Sequence, residues 1–314
     1  MTLKIALQMD PVDQVKIDAD TTFHIGLEAQ RRGYSLFFYT PDNLAYMEGR
    51  IIARGFPIEL RRDKANHVSY GPEEVVDLAE FDVVWLRQDP PFDMAYITST
   101  HLLDLLKGQT VVVNDPFWVR NLPEKLFVLQ FPDLTPPTAI ARDLQTIRDF
   151  REKHGDIILK PLYGAGGAGV FKLSHYDGNL VALHELFTGI SREPLIVQKF
   201  VPAVTRGDKR VILIDGEPVG AINRVPLAGE TRSNMHVGGR AEKIDLTERD
   251  REICARIGPP LRERGQILVG IDVIGDWLTE INVTSPTGIQ ELERFDGIDV
   301  VGRLWNAVEK RLKP

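Results

Sequence analysis

The chain has 314 residues, 43% hydrophobic and 26% charged, and a net charge of −7. It is long enough for two domains and can bury a sizeable core. Its acidic balance excludes any general pull toward nucleic acid or an anionic membrane, so a bound anion needs a local basic site. The one cysteine, Cys254, excludes a disulfide framework and a cysteine-built zinc cluster, and reads as a plain helix residue. The opening MTLKIALQMD lacks the pattern of a secretion signal, and no apolar run reaches about 18 residues. A cytoplasmic location with no membrane partner is the expectation.

Leu3–Met9 reads as a first strand, closed by Asp10-Pro11. Thr21–Arg32 has helical spacing, an acidic start and Gly33 just past its end. Tyr34–Tyr39, Val83–Arg87 and Thr110–Asn114 read as further strands, with helix-like His101–Leu106 between the last two. Strands alternating with helices predict a parallel sheet. Asp89-Pro90-Pro91 breaks the chain at a strand end, where the ligand loops of open α/β sheets sit. A Pro-rich stretch, Pro132–Pro137, follows a shift in composition near Asn114–Pro123, and the domain boundary is placed here: 1–121, then 122–314. Beyond it, Ile157–Pro161, Val170–Leu173 and Leu195–Phe200 read as strands. Two strand pairs follow, Arg210–Ile214 with Pro218–Arg224 around Asp215-Gly216, and Ile267–Ile274 with Leu278–Thr284 around Gly275-Asp276. Thr247–Arg264 and Asp299–Leu312 read as helices. The fold class is therefore α/β followed by antiparallel α+β.

Three constellations carry chemistry. The first runs from Lys160 at a strand end into Gly164, Gly166, Gly167 and Gly169. Glycines let backbone N–H groups converge on an oxyanion, and the lysine adds charge, which suits polyphosphate. Neither the P-loop nor the dinucleotide fingerprint fits; a hairpin without a ligand is the alternative. In the second, Glu280 and Asn282 are two apart on a predicted strand and face one side. A carboxylate and an amide oxygen suit Mg²⁺, with phosphates and waters completing its shell. Asp272 joins them only if the connection around Gly275-Asp276 has odd length; a two-residue turn sets it opposite Thr279. The third spans residues 206–240 and holds six basic residues against four acidic ones. Five are arginines, Arg206, Arg210, Arg224, Arg232 and Arg240, whose planar forks suit carboxylate or phosphate. Leu227–Arg240 is polar, Gly-rich and without a period, so it reads as a mobile loop. Lys125, taken alone, reads as a surface residue.

Together these segments resemble the ATP-grasp superfamily and, more closely, the bacterial glutathione synthetases, over nearly the whole chain. Glycine-rich loops and Glu-x-Asn pairs are shared across the superfamily. Asp89-Pro90-Pro91-Phe92-Asp93 and Glu280-Ile-Asn282-Val-Thr-Ser285-Pro286-Thr287 are more specific, supported by Glu124-Lys125-Leu126, Gly207-Asp208-Lys209-Arg210 and Gly238-Gly239-Arg240.

The resemblance implies an N-terminal pre-ATP-grasp domain with a parallel sheet, then an ATP-grasp fold of two antiparallel-sheet subdomains, with the lid subdomain at about 122–200. It implies ATP-dependent joining of γ-glutamylcysteine and glycine to glutathione through an acyl phosphate, with ADP and phosphate released. ATP would meet Lys125, Lys160, the loop of Gly164, Gly166 and Gly167, the hinge of Gln198, Lys199 and Val201, and Asp208. Asp272, Glu280 and Asn282 would hold Mg²⁺ or Mn²⁺. Arg210 would act at the reacting carboxylate. Lys16, Arg87, Arg224, Arg232, Arg240, Ser285 and Thr287 would bind substrate, and relatives imply a homotetramer. A ligase with a different amino-acid acceptor, and an ATP-binding scaffold without chemistry, stand as the alternatives.

Overall fold

The computed structural model describes residues 2–227 and 239–312. Strand β1 (Lys4–Gln8) is buried from Ile5 onward because both faces of its sheet are covered. Ile5 and Leu7 pack with Phe23 and Ile25 of α1 (Thr21–Arg31), whose first turn is capped by the Asp20 carboxylate. Ala6 lies on the other side. β2 (Ser35–Tyr39) pairs parallel with β1, as the alternation of strand and helix predicts. β3 (Leu44–Met47), β4 (Arg50–Leu60), β5 (Val68–Tyr70) and β6 (Glu74–Asp77) then add an antiparallel extension on β2. The expected parallel pairs therefore sit in a mixed sheet. Gly55 sits where a Cβ would meet Phe38 O at 2.1 Å, so the long strand β4 crosses β2 only with glycine there.

β7 (Val83–Leu86) returns to the sheet beside β1, and β8 (Val111–Val113) follows it, both parallel. Between them, α2 (Met94–Asp104) begins at the Asp93 cap, seven residues before the helical stretch read from sequence. α3 (Pro116–Asn121) leads out of this sheet.

The second sheet is antiparallel and has four strands: β9 (Thr138–Ala141), β10 (Ile157–Pro161), β11 (Phe171–Leu173) and β12 (Leu195–Lys199), in the order β11-β10-β12-β9. Two helices absent from the sequence reading cover it, α4 (Leu144–His154) after β9 and α5 (Leu180–Ile190) after β11.

The third sheet, also antiparallel, orders its strands β15-β14-β13-β16-β17. They are β13 (Asp208–Ile214), β14 (Glu217–Val225), β15 (Arg240–Ile244), β16 (Leu268–Ile274) and β17 (Trp277–Asn282). The β13–β14 turn has Asp215 and Gly216 at positive φ, the geometry their sequence demands. Between β15 and β16 runs α6 (Glu248–Glu263), started by a capping box of Thr247 and Asp250. Gly258 in its middle meets Gly216, where a Cβ on Gly216 would lie 2.5 Å from Gly258 O. α7 (Ile289–Asp296) and α8 (Val300–Leu312) close the chain. α8 returns to the first sheet: Trp305 packs edge-on to Trp85 and to Tyr34, with ring centroids 5.4 and 5.5 Å apart.

Two-residue periodicity places the site on this third sheet. Val211 and Leu213 of β13 face α6, with Val269 and Ile271 of β16. On the opposite face, Ile212 and Ile214 join the core under the first sheet, and Arg210 and Asp208 continue the row into a cleft.

Candidate active site

A cleft of about 980 Å³ is lined by all three sheets. Its floor is a row of charges across neighbouring strands. Asp272 of β16 stands opposite Arg210 of β13 on one side and Glu280 of β17 on the other. Sequence left that register open. The turn is two residues long, but a bulge between Asp272 and Val273 leaves Thr279 as the extra residue and brings Glu280 across from Asp272. Thr279 Oγ1 donates to Asp272 O at 3.0 Å, fixing the bulge.

Arg210 grips Asp272 with two prongs, Nε to Oδ1 at 2.6 Å and Nη2 to Oδ2 at 3.1 Å. Arg224 Nη2 lies 3.0 Å from Asp272 Oδ1 and 2.5 Å from Asp208 Oδ2. Burial alone would raise the Asp272 carboxyl, but the two guanidinium groups outweigh it and hold it far below the usual carboxylate range. Burial pushes Asp208 up to about 7, against the pull of Arg224.

Lys160 ends β10 and donates to Glu280 Oε1 at 3.2 Å. Lys125 lies 3.6 Å from the same oxygen and donates to Gly164 O at 2.7 Å. It is only 8% exposed, so the isolated reading of Lys125 as a surface residue is corrected. Burial opposes the Glu280 charge, and these two lysines outweigh it and lower its pKa. Asn282 donates through Nδ2 to Gly270 O at 3.1 Å, which leaves its amide oxygen as the end available to a ligand.

The glycine loop is the tip of the β10–β11 hairpin, so hairpin and ligand loop are one structure. Gly166, Gly167 and Gly169 all have positive φ, which other residues adopt only with strain. Phe92, in the loop after β7, stacks on Tyr163 at 5.9 Å and ties the first domain to the root of this loop.

Gln198, Lys199 and Val201 leave β12 along the cleft wall, with Gln198 Nε2 donating to Thr138 Oγ1 at 2.9 Å. Lys16, Arg87, Ser285 and Thr287 line the opposite wall. Two further expected residues are Arg232 and Arg240. Arg232 lies outside the described residues, as does most of the stretch read as a loop. Arg240 begins β15, is exposed, pairs with Glu242 and is not among the residues lining the cleft.

Sequence reading missed Glu124, which lines the cleft with a carboxyl raised by burial and accepts from Thr284 Oγ1 at 2.9 Å. The only signal was its place in Glu124-Lys125-Leu126. It also missed Asp20, read as part of a helix start and found facing the cleft as well.

Fold and cleft are those of an ATP-grasp ligase. The structure of D-cycloserine synthetase matches with a TM-score of 0.70 at 17% identity, covering 99% of this chain and 100% of that one. An ATP-grasp ligase solved with Mg and ADP matches with a TM-score of 0.62 at 20% identity, covering 100% of this chain and 99% of that one.

Residues 3–120 match the N-terminal domain of prokaryotic glutathione synthetase, and residues 124–297 match its ATP-grasp domain. The glutathione synthetase of Mesorhizobium japonicum is 60% identical over 313 residues, covering 100% of both chains. That of Brucella melitensis is 60% identical over 311 residues, covering 99% of this chain and 100% of its own. The chain belongs to the prokaryotic glutathione synthetase family and is a ligase of that kind.

Proposed function

We propose that this cleft joins γ-glutamylcysteine to glycine at the expense of ATP, through an acyl phosphate on the cysteinyl carboxylate. The observation that carries the reading is the convergence of Lys125, Lys160, Glu280, Asp272 and Arg210 on one cleft beside the glycine loop. This arrangement of charges matches the chemistry. A carboxylate is a poor electrophile, and the γ-phosphoryl group makes its carbon open to an amine. Phosphoryl transfer of this kind depends on positioning and on neutralising charge.

Lys125 and Lys160 bind the phosphates, and the Gly164–Gly167 backbone closes over them. Gln198, Lys199 and Val201 take the adenine edge, and Asp208 stands near the ribose. Arg210 sits on the floor to stabilise the oxyanion formed when the glycine amine attacks. The attacking nitrogen loses its proton, the carbon–oxygen bond to phosphate breaks, and phosphate leaves. Arg224 helps hold Asp272 ionised beside it and opposes the rise of Asp208. Lys16, Arg87, Ser285 and Thr287 seat the dipeptide, and Arg232 belongs to the same substrate set.

Glu280, Asn282 and Asp272 offer two carboxylates and an amide oxygen, a hard-oxygen set that fits Mg²⁺ or Mn²⁺. When bound, that ion neutralises the polyphosphate and orients its γ-phosphoryl group. The division into 1–121 and 122–314, with a lid at about 122–200, follows the change from the first sheet to the two antiparallel ones. No helix among the described residues is long and apolar enough to cross a membrane. A cytoplasmic homotetramer remains the reading from family resemblance.

The test is ADP release with ATP, Mg²⁺ and γ-glutamylcysteine, with and without glycine, glutathione being identified by mass. Turnover requiring both acceptor and dipeptide is expected. Equal turnover with D-alanine in place of both would overturn the substrate reading, and ATP binding without ADP production would overturn the enzyme reading.

A further inference from the structure

Arg87 directly follows β7 and is 4% exposed. Its Nε donates to Thr22 Oγ1 at 3.1 Å and its Nη2 to Pro286 O at 3.0 Å. Its Nη1 is buried and has no hydrogen-bond partner among the described residues, although Arg87 lines the cleft. A buried guanidinium N–H left in this way costs about 1–3 kcal/mol or more unless a ligand takes it.

Asp20 faces the same wall. It is near enough for the two opposite charges to act on each other, yet they form no bond. Asp20 Oδ1 is committed to the N–H of Phe23 at 2.6 Å, as the cap of α1, and Arg87 is committed to Thr22 and Pro286. Asp89 adds a second negative charge to this wall, its N–H donating to Asp10 Oδ2 at 2.7 Å. The wall thus holds a cation and an anion that are close together but separately tethered. A ligand that satisfies both carries a carboxylate and an ammonium on one carbon.

We propose that Arg87 and Asp20 read the free α-amino-acid head of the γ-glutamyl residue, Arg87 Nη1 taking the α-carboxylate and Asp20 the α-ammonium. This rests on the reaction proposed above and assigns the end of the dipeptide remote from the chemistry. It also explains discrimination by linkage. A γ-linked glutamate presents both charges on one carbon, whereas an α-linked glutamate has spent that carboxylate in its peptide bond.

The test compares γ-glutamylcysteine with glutarylcysteine, which lacks the ammonium, and with 4-aminobutyrylcysteine, which lacks the α-carboxylate. In the unaltered enzyme each analogue should lose about 10- to 100-fold in kcat/KM, the worth of a charge-assisted hydrogen bond. Asp20→Asn keeps a good helix cap, because asparagine caps as well as aspartate. It should shrink the preference over glutarylcysteine about tenfold and leave the preference over 4-aminobutyrylcysteine intact. Arg87→Gln should do the reverse. An unaltered enzyme that accepts glutarylcysteine as readily as γ-glutamylcysteine overturns the proposal. So does an Asp20→Asn variant that loses activity on both alike. If the unaltered enzyme binds ATP but makes no glutathione, the reaction itself is wrong and the subsite falls with it, a result distinct from either of the others.

Discussion

Replacing Arg210 with alanine separates chemistry from binding. The residue is 7% exposed and holds Asp272 through two bonds, with a third, longer contact from Nη1 to Thr287 O at 3.4 Å. If it stabilises the oxyanion, its loss costs about 10²–10³ in kcat, as for other single oxyanion donors. Its loss also frees Asp272. Breaking a buried pair costs about 3–5 kcal/mol when the survivor is left alone. Here Arg224 stays 3.0 Å from the same carboxylate, so the lower end of that range is expected. Steady-state ADP release, calorimetric ATP binding and thermal unfolding should be measured on one preparation. The expected result is a folded variant, several degrees less stable, with kcat down 100- to 1000-fold and the ATP Kd within about threefold. Arg210→Lys keeps the charge but loses the fork, and should fall between. Unchanged kcat, or a loss of ATP affinity that matches the loss of rate, refutes the role of Arg210.

Glu280→Gln leaves Lys125 and Lys160 without their shared anion, so the Mg²⁺ concentration giving half-maximal ADP release should rise at least about tenfold; an unchanged Mg²⁺ requirement counts against Glu280 as a ligand. Asp208 has a folded pKa raised to about 7 from 3.8, so its contribution to stability is full below about pH 4 and is lost as pH rises through 7. Urea midpoints at pH 5 and pH 7.5 should therefore fall less with rising pH in Asp208→Asn than in the unaltered chain, and an identical pH trend argues against a raised Asp208. Gly166 and Gly169 both have positive φ, but only Gly169 is crowded, a Cβ there meeting Pro161 Cγ at 2.9 Å. Gly169→Ala should raise the KM for ATP more than Gly166→Ala, which carries backbone strain of about 1–2 kcal/mol alone; the opposite order is the contrary outcome. Burial pushes the Cys254 thiol up to about 12, so iodoacetamide should label it only on unfolding, and loss of activity in the folded enzyme would contradict that.

Local signals in the sequence located what is local in the structure. The Asp215-Gly216 turn, the Thr247 helix start and the Glu280–Asn282 period are each decided within a few residues, and each stands where the sequence put it. What escaped depends on distant partners. The β3–β6 extension is held by pairing onto β4, whose apolar pattern Gly55 and Pro57 interrupt, and its other strands, β3, β5 and β6, are short and weakly patterned. The pairing of Asp272 with Glu280 turns on one bulged residue, Thr279, which no two-residue turn announces. Lys125 and Glu124 look like surface charges until the glycine loop and β17 close over them.

The charges of the cleft give a physical reason for phosphate and metal to bind together. Lys125, Lys160, Arg210 and Arg224 share it with Glu124, Asp208, Asp272 and Glu280, so each cation already has an anion within reach. A site balanced in this way has little net positive charge to offer a polyphosphate on its own. The lysines can turn to phosphate only as Glu280 acquires another cation, because leaving a buried carboxylate alone would cost several kcal/mol. Arg210 and Arg224 are not free to help, being tied to Asp272. Nucleotide and divalent ion are therefore expected to bind as one unit, each making room for the other's charge. Loss of either lysine should weaken both together.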